Sequence, residues 1–393
     1  MGVSVSGYSP FGMNTEYDVL IIGGGVAGLA AATLFARAGY RTAVFEKDQY
    51  PRHKVCGEYI SRESVPFLER IGLDVLQQPL PQIDRLLLTT PKGPSLQVQL
   101  PLGGIGLSRY AFDAALARSA AAAGATILTQ TKVTGVTGVT QANGRFEVQT
   151  SSGLYSGRLV LGSWGKKSNL DVQLQRPFLR NDDPVLDGWV GIKHHIRYSD
   201  LPEPLIALHT FPGGYCGISH VEDDRLCLCY LVKGDALRTA GNSIPELEAT
   251  VLGQNPHLRH IWANAQFLFP KPLAISGISF QRRTAVEDGV LCIGDAAGMI
   301  PPLSGNGMSV GLHSAQLAFE QGSDFLAGRK SRKAMEKDFT KAWNRQFRTR
   351  MAMGRVLQGR FSQEVLLQPV LGLLNALPFL KKMVIRRTHG TTF

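Results

Sequence analysis

Residues Asp18–Glu46 read DVLIIGGGVAGLAAATLFARAGYRTAVFE, and this stretch decides the fold. Val19–Ile22 is a short apolar run suited to a parallel strand buried on both faces. Gly23-Gly24-Gly25-Val26-Ala27-Gly28 follows and fits G-x-G-x-x-G. In that pattern Gly23 permits the tight turn and Gly25 lets backbone N–H groups approach a pyrophosphate. Gly28 lets the next helix pack closely on the strand. A helix expected from Val26 to Ala38 turns its positive end toward the phosphates, and Gly39 stops it. Arg41–Phe45 is the second strand. It ends on Glu46, 18 residues after Gly28, where a carboxylate accepts hydrogen bonds from a ribose diol. Gly23, Gly25, Ala27, Gly28, Glu46 and the adjoining Lys47 are therefore the first cofactor-binding candidates. The turn alone leaves FAD and NAD(P) both open.

Working outward, 393 residues suit two interleaved units with ample core. The five cysteines, Cys56, Cys216, Cys227, Cys229 and Cys292, form no C-x-x-C pair. An odd count without that spacing argues against a disulfide framework or a zinc site, so no metal is expected and a reducing, cytoplasmic setting is the default. Met1-Gly2 with Ser6 matches a short acylation pattern but reads as a leader before the first strand, and no signal peptide is expected. The net charge of +11 is uneven: Arg329–Arg387 holds 15 Lys+Arg against 3 Asp+Glu, a local +12, leaving −1 for the rest. No recognised nucleic-acid motif accompanies it, so nucleic acid is not an expected partner.

Along the chain, Ser61 is placed to cap a helix ending at Gly72, and Ser108 to cap one over Arg109–Ala123. Arg85–Thr90 and Ser95–Leu100 read as strands around Pro91–Pro94. Trp189–Arg197 and Leu205–Val232 alternate as an antiparallel sheet does. Val290–Ile293 is a further buried strand, and a helix is expected over about Gly307–Leu326. Val365–Leu380 is apolar but contains Pro369 and Pro378, and falls short of a membrane span.

Gly294–Ser314, GDAAGMIPPLSGNGMSVGLHS, resembles the second FAD motif of flavoproteins of the aromatic-hydroxylase fold. The resemblance assigns Asp295 to a hydroxyl of the ribityl chain. It sets Pro301, Pro302, Gly305, Asn306, Gly307 and Met308 beside the isoalloxazine, where small residues expose N–H groups at a helix start. Ser108-Arg109-Tyr110 with Phe112, Asp113 and Leu116 is similar to the helix whose arginine contacts the FAD diphosphate or ribose, which implies that role for Arg109. Val133 falls where a strand offers its backbone to the adenine. Pro51-Arg52-His53-Lys54-Val55-Cys56-Gly57-Glu58 resembles the geranylgeranyl reductase branch, whose Cys-Gly segment lies near the flavin. Cys56 and Glu58 are thus the catalytic candidates.

Two departures qualify the likeness. Gly162-Ser163-Trp164-Gly165-Lys166-Lys167-Ser168 carries Trp164 where such proteins commonly have the Asp of Ala-Asp-Gly, so NAD(P)H is only a candidate electron donor. Gly213–His220 has Gly217 and His220 where the branch shows Trp and Pro. No counterpart of the halogenase lysine follows Glu58. His194 and His195 share a strand, so one of them faces the pocket; His194, Tyr215 and Cys216 are the substrate-side candidates.

The fold implied is α/β: a Rossmann-like FAD-binding domain (15–80, 105–185 and 284–328), an inserted antiparallel substrate sheet (81–104 and 186–283) and a basic helical segment (329–393). The function implied is an FAD-dependent oxidoreductase, with a monooxygenase of a lipophilic natural-product or polyketide intermediate favoured. The alternatives are a C=C reductase of a prenyl or enone substrate, a flavin halogenase, and a non-catalytic flavin-binding or electron-transfer protein. Met351, Met353, Val356, Leu357 and Phe361 give the basic segment a partly apolar helix face, and peripheral contact with an anionic membrane is its sharper reading.

Overall fold

The computed structural model describes residues 15–73, 79–138, 144–181, 183–361 and 392–393. β1 (Thr15–Ile22) enters the glycine turn, and α1 (Val26–Arg37) leaves it. α1 is buried almost all round, from Val26 to Thr33 and at Phe35; its run of alanines allows neighbours to close on several sides. β2 (Thr42–Phe45) lies parallel to β1, Val19 opposite Thr42 and Ile22 opposite Phe45. β3 (Tyr59–Ser61) follows. Ser61 caps a 3-10 turn, Arg62–Ser64, rather than the helix itself, and α2 (Val65–Arg70) starts only after it. β4 (Gln82–Thr89) and β5 (Leu96–Gly106) form the expected hairpin, with β5 six residues longer at its end than its alternation suggested. α3 (Arg109–Ala122) carries the Ser108 cap, whose Oγ accepts from the Ala111 N–H at 3.2 Å, a contact worth about 1 kcal/mol.

β6 (Thr126–Leu128), β7 (Val133–Thr137), β8 (Phe146–Thr150) and β9 (Gly153–Gly162) come next, then α4 (Asn169–Gln173), opened by a Ser168–Asp171 capping box. β10 (Trp189–Arg197), β11 (Leu205–Phe211), β12 (Gly214–Val221) and β13 (Arg225–Lys233) supply the alternating strands. Three short helices, α5 (Gly234–Thr239), α6 (Ile244–Thr250) and α7 (Pro256–Asn264), cover one face of them. β14 (Gln266–Phe267), β15 (Leu273–Ile278), β16 (Val286–Glu287) and β17 (Val290–Cys292) precede α8 (Gly307–Leu326) and α9 (Arg332–Phe361).

The strands make two sheets. One has eight strands in the order β16-β17-β9-β1-β2-β6, with β7 and β8 joined through β9. Its centre, β17-β9-β1-β2-β6, is parallel; β17, β2 and the inner parts of β1 and β9 are buried and apolar, while β6 at the edge is half-exposed. The other has nine strands in the order β14-β10-β13-β12-β11-β4-β5-β3, with β15 also on β10. All its pairs are antiparallel except β11 with β4. The arrangement is the α/β architecture read from the sequence: a Rossmann-like parallel sheet, an antiparallel sheet and a helical end. Tyr59–Ser61, placed by the sequence pattern in the first unit, hydrogen-bonds instead into the antiparallel sheet against Gly104–Gly106.

α9 packs through one seam, Met335, Phe339, Trp343, Phe347 and Met351, all buried at i+4 spacing. Met351 reaches Gly298, and Gly354 meets Pro301, so this helix backs the second glycine-rich motif. Val356 is exposed instead of joining the seam. The side chains of Leu357 and Phe361, the Val365–Leu380 stretch and the Met1-Gly2 leader lie outside the described residues. Among the described residues no helix is long and apolar enough to cross a membrane.

Candidate active site

The glycine turn is shaped for a close approach. Gly23 has φ +103°, and a Cβ there would stand 2.5 Å from the Ser163 carbonyl oxygen, so only glycine fits. Gly25 is the N-cap of α1 and no side chain caps that helix end. Around Gly25 the space is open, and the nearest atoms to a Cβ would be Lys54 Nζ at 3.7 Å and Arg109 Nη2 at 3.8 Å. An uncapped helix start facing two cations is a site for a diphosphate. Both cations are held by the buried Asp113: Arg109 through two hydrogen bonds of 2.7 Å and Lys54 at 3.2 Å. Burial opposes the Asp113 charge, but Arg109 and Lys54 keep its carboxyl below the ordinary range.

Glu46 has further partners at the end of β2. Its carboxylate accepts from the Gly24 N–H at 2.9 Å and the Asp48 N–H at 3.1 Å, and pairs with Arg52 at 2.6 Å. Tyr50 donates to the Gly24 carbonyl at 2.6 Å. Glu46 thus braces the turn it follows, and a ribose diol would share a carboxylate already engaged by Arg52. Lys47 is exposed beside it. Val133 begins β7, which pairs with β8.

The second motif meets the first. A Cβ on Gly294 would lie 3.1 Å from the Ala27 Cβ, and Gly311 on α8 also faces Ala27. Asp295 is half-buried in the turn after β17. Gly305 has φ +65°, and a Cβ there would stand 3.1 Å from the Tyr59 ring; Asn306 precedes α8, whose N-terminus has no side-chain cap. Pro302 is exposed, while Met308 is buried in the core that also holds α1. Two uncapped helix starts, cradled by glycines and separated by small residues, fit a flavin dinucleotide. Arg109, Lys54 and the Gly25 turn would hold its diphosphate, and the Asp295–Met308 segment its flavin half.

One buried arginine escaped the sequence reading. Arg176 donates to Asp171 at 3.0 Å, to the Ala296 carbonyl at 2.7 Å and to the Thr284 carbonyl at 2.8 Å. Asp171 in turn accepts from the Trp164 indole at 3.0 Å. Trp164 is thereby tied to the Asp171–Arg176 pair.

The antiparallel sheet faces the Cys56–Glu58 loop with a cluster that no local pattern announces. Glu58 is fully buried at φ +56°. Its carboxylate is paired with Lys193, accepts from the Arg109 backbone N–H at 2.6 Å and meets His195 Nε2 at 2.7 Å. Burial would raise this carboxyl, but the His195 hydrogen bond and the Lys193 charge hold it below the ordinary range. Glu58 thus anchors Lys193, His195 and the start of α3. Cys56, by contrast, is only half-buried; its sulfur takes the Glu58 N–H at 3.4 Å and a hydrogen bond from Arg109. Glu58, His195 and Cys227 come within 4.8 Å of one another through possible ligand atoms. Burial, however, pushes the Cys227 thiol well up, and the Lys193 ammonium already supplies the positive charge there.

His194 is corrected by the alternation of β10. It points to the opposite face from Lys193 and His195 and bonds Glu248 at 2.8 Å, beneath α6 and α7. Tyr215 and Cys216 also part company: Tyr215 joins Trp189, Phe280 and Met299, while Cys216 is buried in the core under α5–α7. Of these three, only Tyr215 faces the second glycine-rich motif, through contact with the Leu303 backbone.

Fold and site together define a class. Residues 16–142 match the FAD binding domain family. That match makes FAD the cofactor, and the chain is similar to FAD-dependent reductases, monooxygenases and halogenases.

Among curated relatives, conditioned medium factor receptor 1 of Dictyostelium discoideum is 26% identical over 335 residues. That match spans 77% of this chain but only 62% of the relative. Menaquinone reductase of Mycolicibacterium smegmatis is 27% identical over 78% of this chain and 76% of its own. A digeranylgeranylglycerophospholipid reductase of Methanothermobacter thermautotrophicus is 26% identical over 78% and 77%. Two solved structures share the fold. The flavin-dependent brominase Bmp2 has TM-score 0.79 at 19% identity, covering 96% of this chain and 94% of its own. A geranylgeranyl bacteriochlorophyll reductase-like protein of Thermoplasma acidophilum has TM-score 0.78 at 17% identity, covering 97% of each.

Proposed function

We propose that this oxidoreductase saturates a carbon–carbon double bond in a lipophilic prenyl or enone substrate. The observation that carries the reading is the Lys193–Glu58–His195 cluster, buried between the antiparallel sheet and the Cys56 loop. Reduced FAD, when bound, would supply a hydride to one carbon; saturating the double bond also requires a proton delivered to the other. Cys56 is the half-buried member of the cluster and the acid we assign to that transfer. The thiol left without its proton keeps the Glu58 N–H and the Arg109 guanidinium as partners. Lys193 and His195 hold protons behind it, with Glu58 fixing both, and their burial excludes bulk water. The named activities of the menaquinone and digeranylgeranylglycerophospholipid relatives support reduction over the hydroxylation that the sequence pattern favoured.

Cys56→Ala tests the role of the acid. It should bind FAD at wild-type stoichiometry while anaerobic reduction of a prenyl or enone acceptor falls roughly 100-fold or more. Wild-type turnover in that variant would remove Cys56 from the reaction.

The exposed side of α9 supports a further part of this reading. Lys333, Lys337, Lys341 and Arg345 recur every four residues on it and all are exposed. The two acids of the stretch, Glu336 and Asp338, are less exposed than these cations, and Asp338 is paired with Lys330. Such a stripe is complementary to an anionic membrane surface, the phase in which a lipophilic substrate would reside.

A further inference from the structure

The buried cluster needs a way to recover a proton after each turnover, and the residues around it offer one route. His195 has one ring nitrogen on Glu58, while its Nδ1 is buried with no hydrogen-bond partner. The His53 ring lies next to it, centroids 5.1 Å apart and nearly perpendicular at 86°. His53 also has a buried Nδ1 without a partner. Both rings thus bring an unpartnered buried nitrogen to one contact, the kind of polar pair that holds a bridging water. On its other side His53 stacks on Tyr110 at 4.6 Å, and Tyr110 is exposed. Phe269 closes the remaining side, packing on both His53 and His195 at 4.8 and 4.9 Å.

We propose that His53 and His195 form the proton path from solvent to the Glu58–Lys193 pair, with Tyr110 and Phe269 as its walls. The path deepens the reductase reading but does not depend on the substrate. A proton enters at His53, passes from imidazole to imidazole, and reaches Lys193 across the Glu58 carboxylate. No electron moves on this route. The charged and titratable groups facing His53 are Lys193, His195, Glu58 and Arg225, and Tyr110 stacks on it. Burial, then Lys193 and His195, lower its pKa to about 4, so at neutral pH the ring is neutral, with one nitrogen to donate and one to accept.

The test uses the FAD-loaded protein and no substrate. The flavin is photoreduced anaerobically in weak buffer, and proton uptake is followed with a pH indicator dye. His53→Phe keeps the ring stack and removes the nitrogens; it should slow uptake at least tenfold without changing the flavin content, and added imidazole should restore uptake in His53→Ala, where the ring's space is open. His195→Gln should slow uptake similarly. In FAD-free protein labelled with 15N-histidine, His195→Gln should also shift the titration of the His53 ring, a coupling that packing alone would not produce. Wild-type uptake in His53→Phe, or an unchanged His53 titration in His195→Gln, would overturn the path. Failure of prenyl or enone reduction with uptake still dependent on His53 would sink only the substrate reading.

Discussion

Arg176 carries three jobs with one guanidinium. It neutralises the buried Asp171, satisfies the Ala296 carbonyl in the second FAD motif and ties down the Thr284 carbonyl. Replacing it with methionine leaves Asp171 as an unpaired buried charge and two carbonyls without donors, a loss of about 3–5 kcal/mol. Arg176→Met should therefore unfold at lower denaturant and bind FAD more weakly, measured by urea melts and flavin titration. If stability drops but FAD affinity does not, Arg176 holds the fold and not the motif. The residue was invisible in the sequence because its partners lie 5, 108 and 120 positions away. The same holds for Lys193, which meets Glu58 across 135 residues from within the apolar run of β10. By contrast Gly23 and Gly25 were legible, since their demand is backbone geometry set by their immediate neighbours.

At the scale of elements, α9 divides its charge and its apolar surface cleanly. Its seam from Met335 to Met351 is consumed by α8 and the Gly298 turn, so the membrane reading rests on the opposite, cationic side. A Lys333→Glu, Lys337→Glu, Lys341→Glu triple variant should lose sedimentation with vesicles containing phosphatidylserine at low salt while keeping its flavin. Wild-type protein that stays in the supernatant at low salt, or a triple variant that still sediments, would contradict the stripe's role. The i+4 seam explains why a segment so basic is nonetheless an integral helix: its five buried residues anchor it and the charges stay outside. β10 shows the complementary case. Its period of two made plain that His194 and His195 face opposite ways, but not which way, because strand polarity gives no direction until a partner is known. Glu248 and Glu58 supply that direction.

For the molecule as a whole, two sheets of different kinds meet at one loop. The parallel sheet presents the glycine turn and Asp295. The antiparallel sheet presents Lys193, His195 and Tyr215, and the Cys56–Glu58 loop joins them. The α/β class was readable because buried parallel strands and glycine turns leave local marks. What the sequence withheld was the contact between the sheets, where each side chain is set by residues far along the chain. Glu46 illustrates the limit: its position matches a ribose ligand, but its pairing with Arg52 and the Gly24 N–H was not legible. The Cys-Gly-Glu loop likewise resembled a catalytic segment, but only the fold separates Cys56, half-exposed, from Glu58, the anchor. The most direct measurement is mass analysis of the product when reduced enzyme meets a prenyl or enone acceptor, once without oxygen and once in air. The account predicts a product heavier by two hydrogens, formed equally in both. A product that appears only in air and gains an oxygen atom would contradict it and return the reading to hydroxylation.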